Sequence, residues 1–589
     1  MSCFRCRHRG LLFALLTFLL ASQVVFKPLS AQAIPPAATP GGALPDLDEA
    51  ITEPFVYPGV ELPAEQAAPV TPSDPDAPRM QVRGFRIQGV KPREGLGISQ
   101  QAVEQLVKNE AQKLLAAEGV SGFSVGMFET LTRSIARFYR ERGFFLARAY
   151  IPEQKVPDGI VTINIVEGFL DQVVFRNNTL YSDEQLADVF DDLIGESVYL
   201  PDIERAVFIT NDFPGLNTSA LFGPGLKPGS AAIQLNTLED PSQGFVSFDN
   251  HGSFYTGEQR LRGNYVSNNL FGQADRLETN LIFTLDPQNG TYFDLAYVQP
   301  VLGYDFLAGG GYSWNTFDVG GNLADLQING ESTILNGYMT YLFRRKRSER
   351  MSATVDLSLK EAESRVINTV DSRDTLTVLS LQGLYQGTSW SASGAYQQLG
   401  VTLSLGLEDF LGSMGSDDEL SGRTGGSGDN AGGGFTKLNV DYLRISQIAE
   451  LQRLVFKFSA QQSSDLLTSM EQFSLGGPDS VRAYPVAEAL MDKAWLFSVE
   501  WHADASPATE LDFLNRLQLY AFIDYAKGSL NDPLNNETGE VSFSGYGFGA
   551  QFEPYNKFKA DIILAFDLGD EPSDNQSLPF YFSLRYDFQ

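Results

Sequence analysis

Cysteine is nearly absent from this chain: there are two, Cys3 and Cys6, both within the first six residues. A disulfide framework is therefore excluded. Histidine is almost as scarce, three in 589 residues. With so few nitrogen and sulfur ligands, no zinc, haem or iron–sulfur centre is expected, and no other metal or cofactor is called for. Basic charge is also short, with 43 Lys and Arg against 73 Asp and Glu and a net charge of −30. That balance excludes a general nucleic-acid-binding face. Beyond the amino terminus, no stretch approaches ~18 uninterrupted apolar residues, so no helical membrane span is predicted. What the chain has in excess is aromatic and small: 42 Phe, 23 Tyr and 55 Gly. The mean hydropathy is nonetheless only −0.14. Such a chain places apolar residues in alternation with polar ones.

The first 33 residues read as an export signal. Arg5, Arg7 and Arg9 form a basic start, Leu11 to Leu20 an apolar run, and Ala31-Gln32-Ala33 a small-x-small cleavage site. Its removal takes four basic residues and both cysteines, leaving 39 basic against 73 acidic residues. Residues 34–79 hold 11 of the 29 prolines, eight acidic residues and one basic residue, Arg79. The expectation is an extended, semi-rigid linker that buries too little apolar surface to fold, with at most a short helix near Leu47 to Ile51.

The pattern changes at Met80. Gln81–Val90 reads as a strand, and Ser99–Glu118 and Met127–Arg142 carry apolar residues at helical spacing. Two strands follow, Leu146–Ile151 and Ile160–Val166. The same order then repeats: a strand Leu170–Arg176, a helix Ser182–Leu193 opened by a Ser182/Gln185 capping box, a helix Tyr199–Asn211, and strands Ser219–Phe222 and Ala231–Thr237. Two copies of a β-α-α-β-β unit, over 80–168 and 169–239, are thus expected.

From Ser242 the helical period disappears. Leu277, Thr279, Leu281, Phe283 and Leu285 alternate with Glu278, Asn280, Ile282 and Thr284. Ile562, Leu564, Phe566 and Leu568 alternate with Asp561 and Asp567, and the chain closes on Phe580, Phe582, Leu584, Tyr586 and Phe588. One greasy face and one charged face, strand after strand, predict a transmembrane antiparallel β-barrel with a wet lumen over 242–589. Its length suits 16 strands at roughly 22 residues per strand and connection. Gly412–Gly434, polar and glycine-rich, is expected to be an exposed loop. The fold class is therefore two α+β modules followed by the barrel.

Several runs resemble one family. The first module carries Tyr139-x-x-x-Gly143-Phe144-Phe145-x-Ala147-Arg148-Ala149-Tyr150-Ile151-Pro152-x-Gln154, closed by Asp158-Gly159 and Val166-Glu167-Gly168. The barrel region contains Asp249-Asn250-x-Gly252-Ser253, Leu475-Gly476-Gly477-Pro478-Asp479-Ser480-Val481-Arg482-Ala483-Tyr484 and Phe522-Ile523-Asp524-Tyr525-Ala526. Together these are similar to the two-partner secretion transporters of the ShlB/FhaC/HecB (TpsB) type, with POTRA modules in the periplasm and a barrel in the outer membrane of a Gram-negative bacterium. Two departures stand out: Ala483 and Ala526 occupy positions where the family usually has Gly. Because Ala tolerates positive φ poorly, a different loop-tip backbone is expected.

The resemblance implies that the sixth extracellular loop folds into the lumen and that Arg482 meets Asp524, flanked by Tyr484 and Phe522. Parity agrees, since Leu517, Leu519, Ala521 and Ile523 share one face of their strand and Gln518, Tyr520, Phe522 and Asp524 the other. It further implies one secreted partner protein, bound in extended form by strand addition, and a monomeric transporter in the lipid bilayer. The candidate capture surface is the strand from Gly159 to Val166, with Ile160 and Ile163, and the helix face of Phe128, Phe138 and Tyr139. Those helix residues also suit a plain module core. Alternatives are a barrel insertase of the BamA type, against which two modules argue, and a passive porin, which has no use for residues 80–238. Catalysis is not expected: His251 and His502 sit in no nucleophile or metal motif, no phosphate loop is present, and Gly545-x-Gly547-x-Gly549 reads as a strand of small residues.

Overall fold

The computed structural model describes residues 34–45, 60–61, 78–119, 121–285, 289–388, 390–391, 393–506, 514–555, 557–574 and 579–588. The export signal and the helix suggested near Leu47 lie outside them.

In the linker, Val60–Glu61 forms a short strand β1, described below; the first module opens with β2, Gly84–Gln88. Helices α1 (Gln100–Glu118) and α2 (Val125–Arg140) follow, each started by a serine, Ser99 and Ser124, whose hydroxyl accepts an N–H of the first turn. Gly119 ends α1 in the left-handed conformation. Strands β3 (Arg148–Tyr150) and β4 (Ile160–Val166) complete a sheet ordered β2-β4-β3. Val103, Val107, Leu131, Ile135, Phe144 and Ile163 form its core.

The second module contains β5 (Phe169–Arg176), α3 (Asp183–Asp188), α4 (Leu200–Asn211), β6 (Leu216–Pro224) and β7 (Ser230–Glu239). The Ser182/Gln185 capping box is formed, but α3 is shorter than its apolar pattern suggests and passes into a 3-10 turn at Asp191–Leu193. The two modules pack as one unit. Gly143, at φ +93°, lets Tyr199 approach so closely that a Cβ there would lie 2.7 Å from its ring. Phe145 reaches across to Phe222 with ring centroids 4.7 Å apart. Here lies the reason for the Gly-Phe-Phe run in the first module.

Sixteen antiparallel strands, from Ser242–Asp249 to Phe580–Phe588, close a barrel in which the last strand pairs with the first. Along Leu514–Ser529 the alternation is strict, with Gln518, Tyr520, Phe522, Asp524 and Ala526 buried inside and Leu519 and Ile523 exposed outside. Among the described residues no helix is long and apolar enough to cross a membrane; the crossing is made by strands. The second module is seated on the turns at one barrel end. Arg345 pairs there with Asp212 at 2.5 Å and with Asp305, and Phe213 lies 5.2 Å from Tyr304.

Two expectations fail. The linker is not wholly an extended spacer. Pro36–Ala38 forms a 3-10 turn inside the barrel, with Ala38 fully buried against Phe317, Val319, Leu323 and Ile328. The Gly41 N–H reaches the Ser469 hydroxyl at 3.3 Å, and a Cβ on Gly41 would collide with the Ser469 carbonyl. Small residues fit there where larger ones would not, so low hydrophobicity does not prevent packing. Further on, β1 adds to the second sheet in parallel with β6, giving the order β1-β6-β7-β5. The second failure concerns Gly412–Gly434. Met414 is buried with Leu376, Val378, Phe435 and Leu467, and Ala431 is fully buried. This loop folds over the barrel mouth instead of standing free.

Candidate functional site: the sixth-loop lock in the barrel lumen

The connection 464–492, between strands Gln452–Ser463 and Lys493–Asp504, dips into the lumen and carries a small hairpin, Phe473–Leu475 with Ala489–Met491. Gly476 and Gly477, at φ +101° and +98°, turn the chain at its neck. A Cβ on Gly476 would lie 2.2 Å from the Pro485 carbonyl, so the neck closes only on glycine.

At the tip, Arg482 meets Asp524. Nε donates to one carboxylate oxygen at 2.8 Å and Nη2 to the other at 2.6 Å. A planar fork on a carboxylate is strong and directional. The Arg482 backbone N–H adds a third bond to Asp524 at 3.2 Å. Nη1 donates to Glu500 at 2.9 Å, and Nη2 to the Ser498 hydroxyl at 2.8 Å. The guanidinium carbon lies 3.5 Å from the centroid of the Phe522 ring, a cation–π contact. Asp524 has no exposed surface. Glu500 is held in turn by Lys457, at 3.3 Å, and by His502, at 2.8 Å. Tyr484 stacks on Phe543 at 4.3 Å and donates to the Asp570 carbonyl. The four residues singled out at the tip are therefore together in one cluster.

Glu500, Ser498 and Phe543 were not singled out. Parity could have found the first two, since Trp495, Phe497, Val499 and Trp501 mark the outer face of their strand and leave Ser498 and Glu500 inward. The Gly545-x-Gly547-x-Gly549 run also gains a reason. A Cβ at 545 would lie 2.5 Å from the Ala483 methyl, one at 547 would enter the Phe522 ring, and one at 549 the Tyr520 ring. Glycines in one strand make the bed for the aromatic and loop side chains of its neighbour.

Ala483 does not adopt positive φ, so the tip of this chain needs no glycine there. Its fully covered methyl packs in the cluster with Val481, Tyr484, Phe522 and Ala526.

The base of the same loop has its own anchor, absent from the sequence reading. Glu471, fully buried, accepts from Lys360 at 2.7 Å and Lys437 at 2.6 Å. Burial pushes its carboxyl up, but the two ammonium groups outweigh that and hold it at about 2. A lumen cavity of 420 Å³ is bounded by Gly41–Pro45 of the linker, Gly252, Arg260, Phe317 and the loop neck Gly476–Ser480. In this state the chain's own segments occupy the lumen.

The candidate capture residues fare differently. Tyr139 and Ile163 are fully buried in the first module's core, which the helical and strand periodicity equally demands; they offer no surface. Burial, with Glu167 nearby, pushes the Tyr139 phenol up to about 12. Phe138 is half-buried beneath Arg142, 3.6 Å away, and Phe128 is stacked on Phe123. Ile160 is 38% exposed. The strand β4 is central in its sheet, so it has no free edge; the edges belong to β2 and β3.

A family model for the haemolysin secretion/activation protein ShlB/FhaC/HecB matches residues 229–552, and one for the ShlB-type POTRA domain matches 90–168. The chain belongs to the ShlB/FhaC/HecB family. It is an outer-membrane transporter of the two-partner type, with its POTRA modules in the periplasm. Among its relatives, the heme/hemopexin transporter protein HuxB of Haemophilus influenzae (strain 86-028NP) is 22% identical over 82% of this chain and 84% of its own. The outer membrane transporter CdiB of Dickeya dadantii is 33% identical over 25% of this chain and 26% of its own. In fold, the chain is similar to CdiB from Escherichia coli, with a TM-score of 0.67 at 20% identity over 89% of this chain and 93% of that one. With the modules periplasmic, loops 407–434, 464–492 and 530–539 are the fifth, sixth and seventh extracellular loops.

Proposed function

We propose that the chain exports one dedicated polypeptide, taken up in extended form at the POTRA modules and passed through the barrel to the cell surface, and that Arg482–Asp524 holds the sixth loop in the position this transport requires. The observation that carries this reading is the sixth loop itself: a buried arginine with five polar contacts to the inner wall of a membrane barrel. A wall that served only as a pore has no use for such a device. Two half-exposed sheet edges in the first module, β2 and β3, suit strand addition, and Tyr150 and Ile160 offer apolar surface beside them. The transporter acts as a monomer, since the lumen and both modules lie within one chain. No step needs a nucleotide, and folding of the cargo outside the cell supplies the direction.

The test compares the outer-membrane and extracellular proteomes of cells with and without this protein. Loss of one large exported protein, with other barrels intact, is the expected result. A broad fall in many outer-membrane barrels would instead indicate an insertase, and two unchanged proteomes would overturn transport.

A further inference from the structure

The fifth loop, 407–434, is a strap. It leaves the wall after Tyr396–Gly406 and returns at Phe435–Ala449, yet its middle reaches the sixth and seventh loops. Arg423 donates to the Asp492 carboxylate at 2.5 Å, to the Leu467 carbonyl at 2.9 Å and to the Asn531 carbonyl at 3.1 Å. Asp492 closes the sixth loop and is fully buried. Its second oxygen accepts the Asn531 N–H at 2.6 Å. Farther along, the Gly426 N–H meets the Asp532 carbonyl, and the Ser427 hydroxyl meets the Asp532 carboxylate at 2.5 Å. One guanidinium thus joins three extracellular loops across the mouth.

The composition of the strap is as informative as its contacts. It contains nine glycines and six acidic residues, and Arg423 is its one basic residue. Glycine-rich backbone has many alternative paths at little steric cost. If Arg423 lets go, the fully buried Asp492 loses the one cation that the strap supplies, and the six carboxylates of the strap offer no replacement.

Building on the transport reading above, we infer that Arg423 is the latch of an extracellular gate: the fifth loop closes the mouth while Arg423 sits on Asp492, and it swings aside when a polypeptide leaves. This device is separate from the Arg482 cluster, with which it shares no residue. Arg482 fixes the loop inside the barrel, whereas Arg423 fixes the cover above it.

The test uses the full-length protein in planar bilayers, with potassium chloride as the conducting probe. Cys3 and Cys6 are the chain's only cysteines, so Ser427→Cys with Asp532→Cys, in a background with both replaced by Ser, introduces a single possible disulfide. Oxidised, this protein should lose its openings; reduction should restore them. Arg423→Gln and Asp492→Asn should raise the open probability about tenfold, the factor expected for losing one charge-assisted hydrogen bond. Heat-modifiable migration reports that each variant remains a folded barrel. Openings that persist through a verified disulfide overturn the gate. So do Arg423→Gln and Asp492→Asn channels that match the wild type, which decide the matter alone should the disulfide not close. A wild-type protein that neither conducts nor exports would instead count against the transport reading itself.

Discussion

The tip and the base of the sixth loop are anchored by opposite charges. At the tip a buried arginine sits among carboxylates; at the base a buried carboxylate sits between two lysines. The difference lies in how tightly each anchor dictates geometry. Arg482 engages Asp524 through a planar fork, with Ser498 and Phe522 fixing the plane of the guanidinium. Lysine ammoniums are compact point charges on flexible stems, so Lys360 and Lys437 hold Glu471 by charge without fixing the plane of its carboxylate. The tip therefore sets a register, and the base supplies a tether.

The largest effect is expected where register is lost. Arg482→Ala leaves Asp524 buried with no cation beside it, a change that costs about 3–5 kcal/mol in comparable sites. The sixth loop should become protease-sensitive, the urea midpoint should fall, and export should stop. Unchanged protease cleavage together with unchanged export would show that the tip is not the register.

A smaller effect is expected at the base. Glu471→Gln removes the charge that both lysines share and should lower stability by about 1.5–3 kcal/mol. It also carries a pH signature. The wild-type Glu471 carboxyl is held at about 2, below its ordinary 4.5. Its contribution is complete above 4.5 and is lost as pH falls from there toward 2. Thermal unfolding followed across that window should show an acid-side decline in the wild type that is shallower in Glu471→Gln. Equal slopes would mean that the base does not act through this carboxyl.

The smallest effect should come from Ala483→Gly, which restores the residue usual in the family. Since Ala483 sits at negative φ, glycine relieves no strain and adds freedom to the unfolded loop, a loss of about 0.4–1 kcal/mol. Slightly faster loop proteolysis with normal export is expected. Slower proteolysis would reveal a backbone preference hidden at this position.

Periodicity made the barrel and both modules legible because it reports burial directly: one face per strand, one stripe per helix. Ser182 and Gln185 located a helix start, yet the same helix stops early where Asp191 and Asp192 lead into a 3-10 turn. The Arg482–Asp524 contact was readable through motif resemblance and strand parity together. Glu471 was not, because its partners Lys360 and Lys437 are 111 and 34 residues away, and no local pattern encodes such distances. The strap failed for a related reason: polar, glycine-rich sequence looks the same whether it is solvated or satisfied by other loops. Tyr139 and Ile163 show the converse, since an apolar stripe does not say whether it faces a core or a visitor.

The short pairing of Val60 and Glu61 with Ala220 and Leu221 turns the outer edge of β6 into a contested place. Any extended polypeptide adding there competes with a strand that is covalently tethered, and short tethers act as local concentrations on the order of millimolar. A stray segment at micromolar concentration loses that contest. Displacing the tethered strand takes a segment that pairs along more of the nine residues of β6. The chain's own two residues thereby set a minimum length and strength for whatever takes their place.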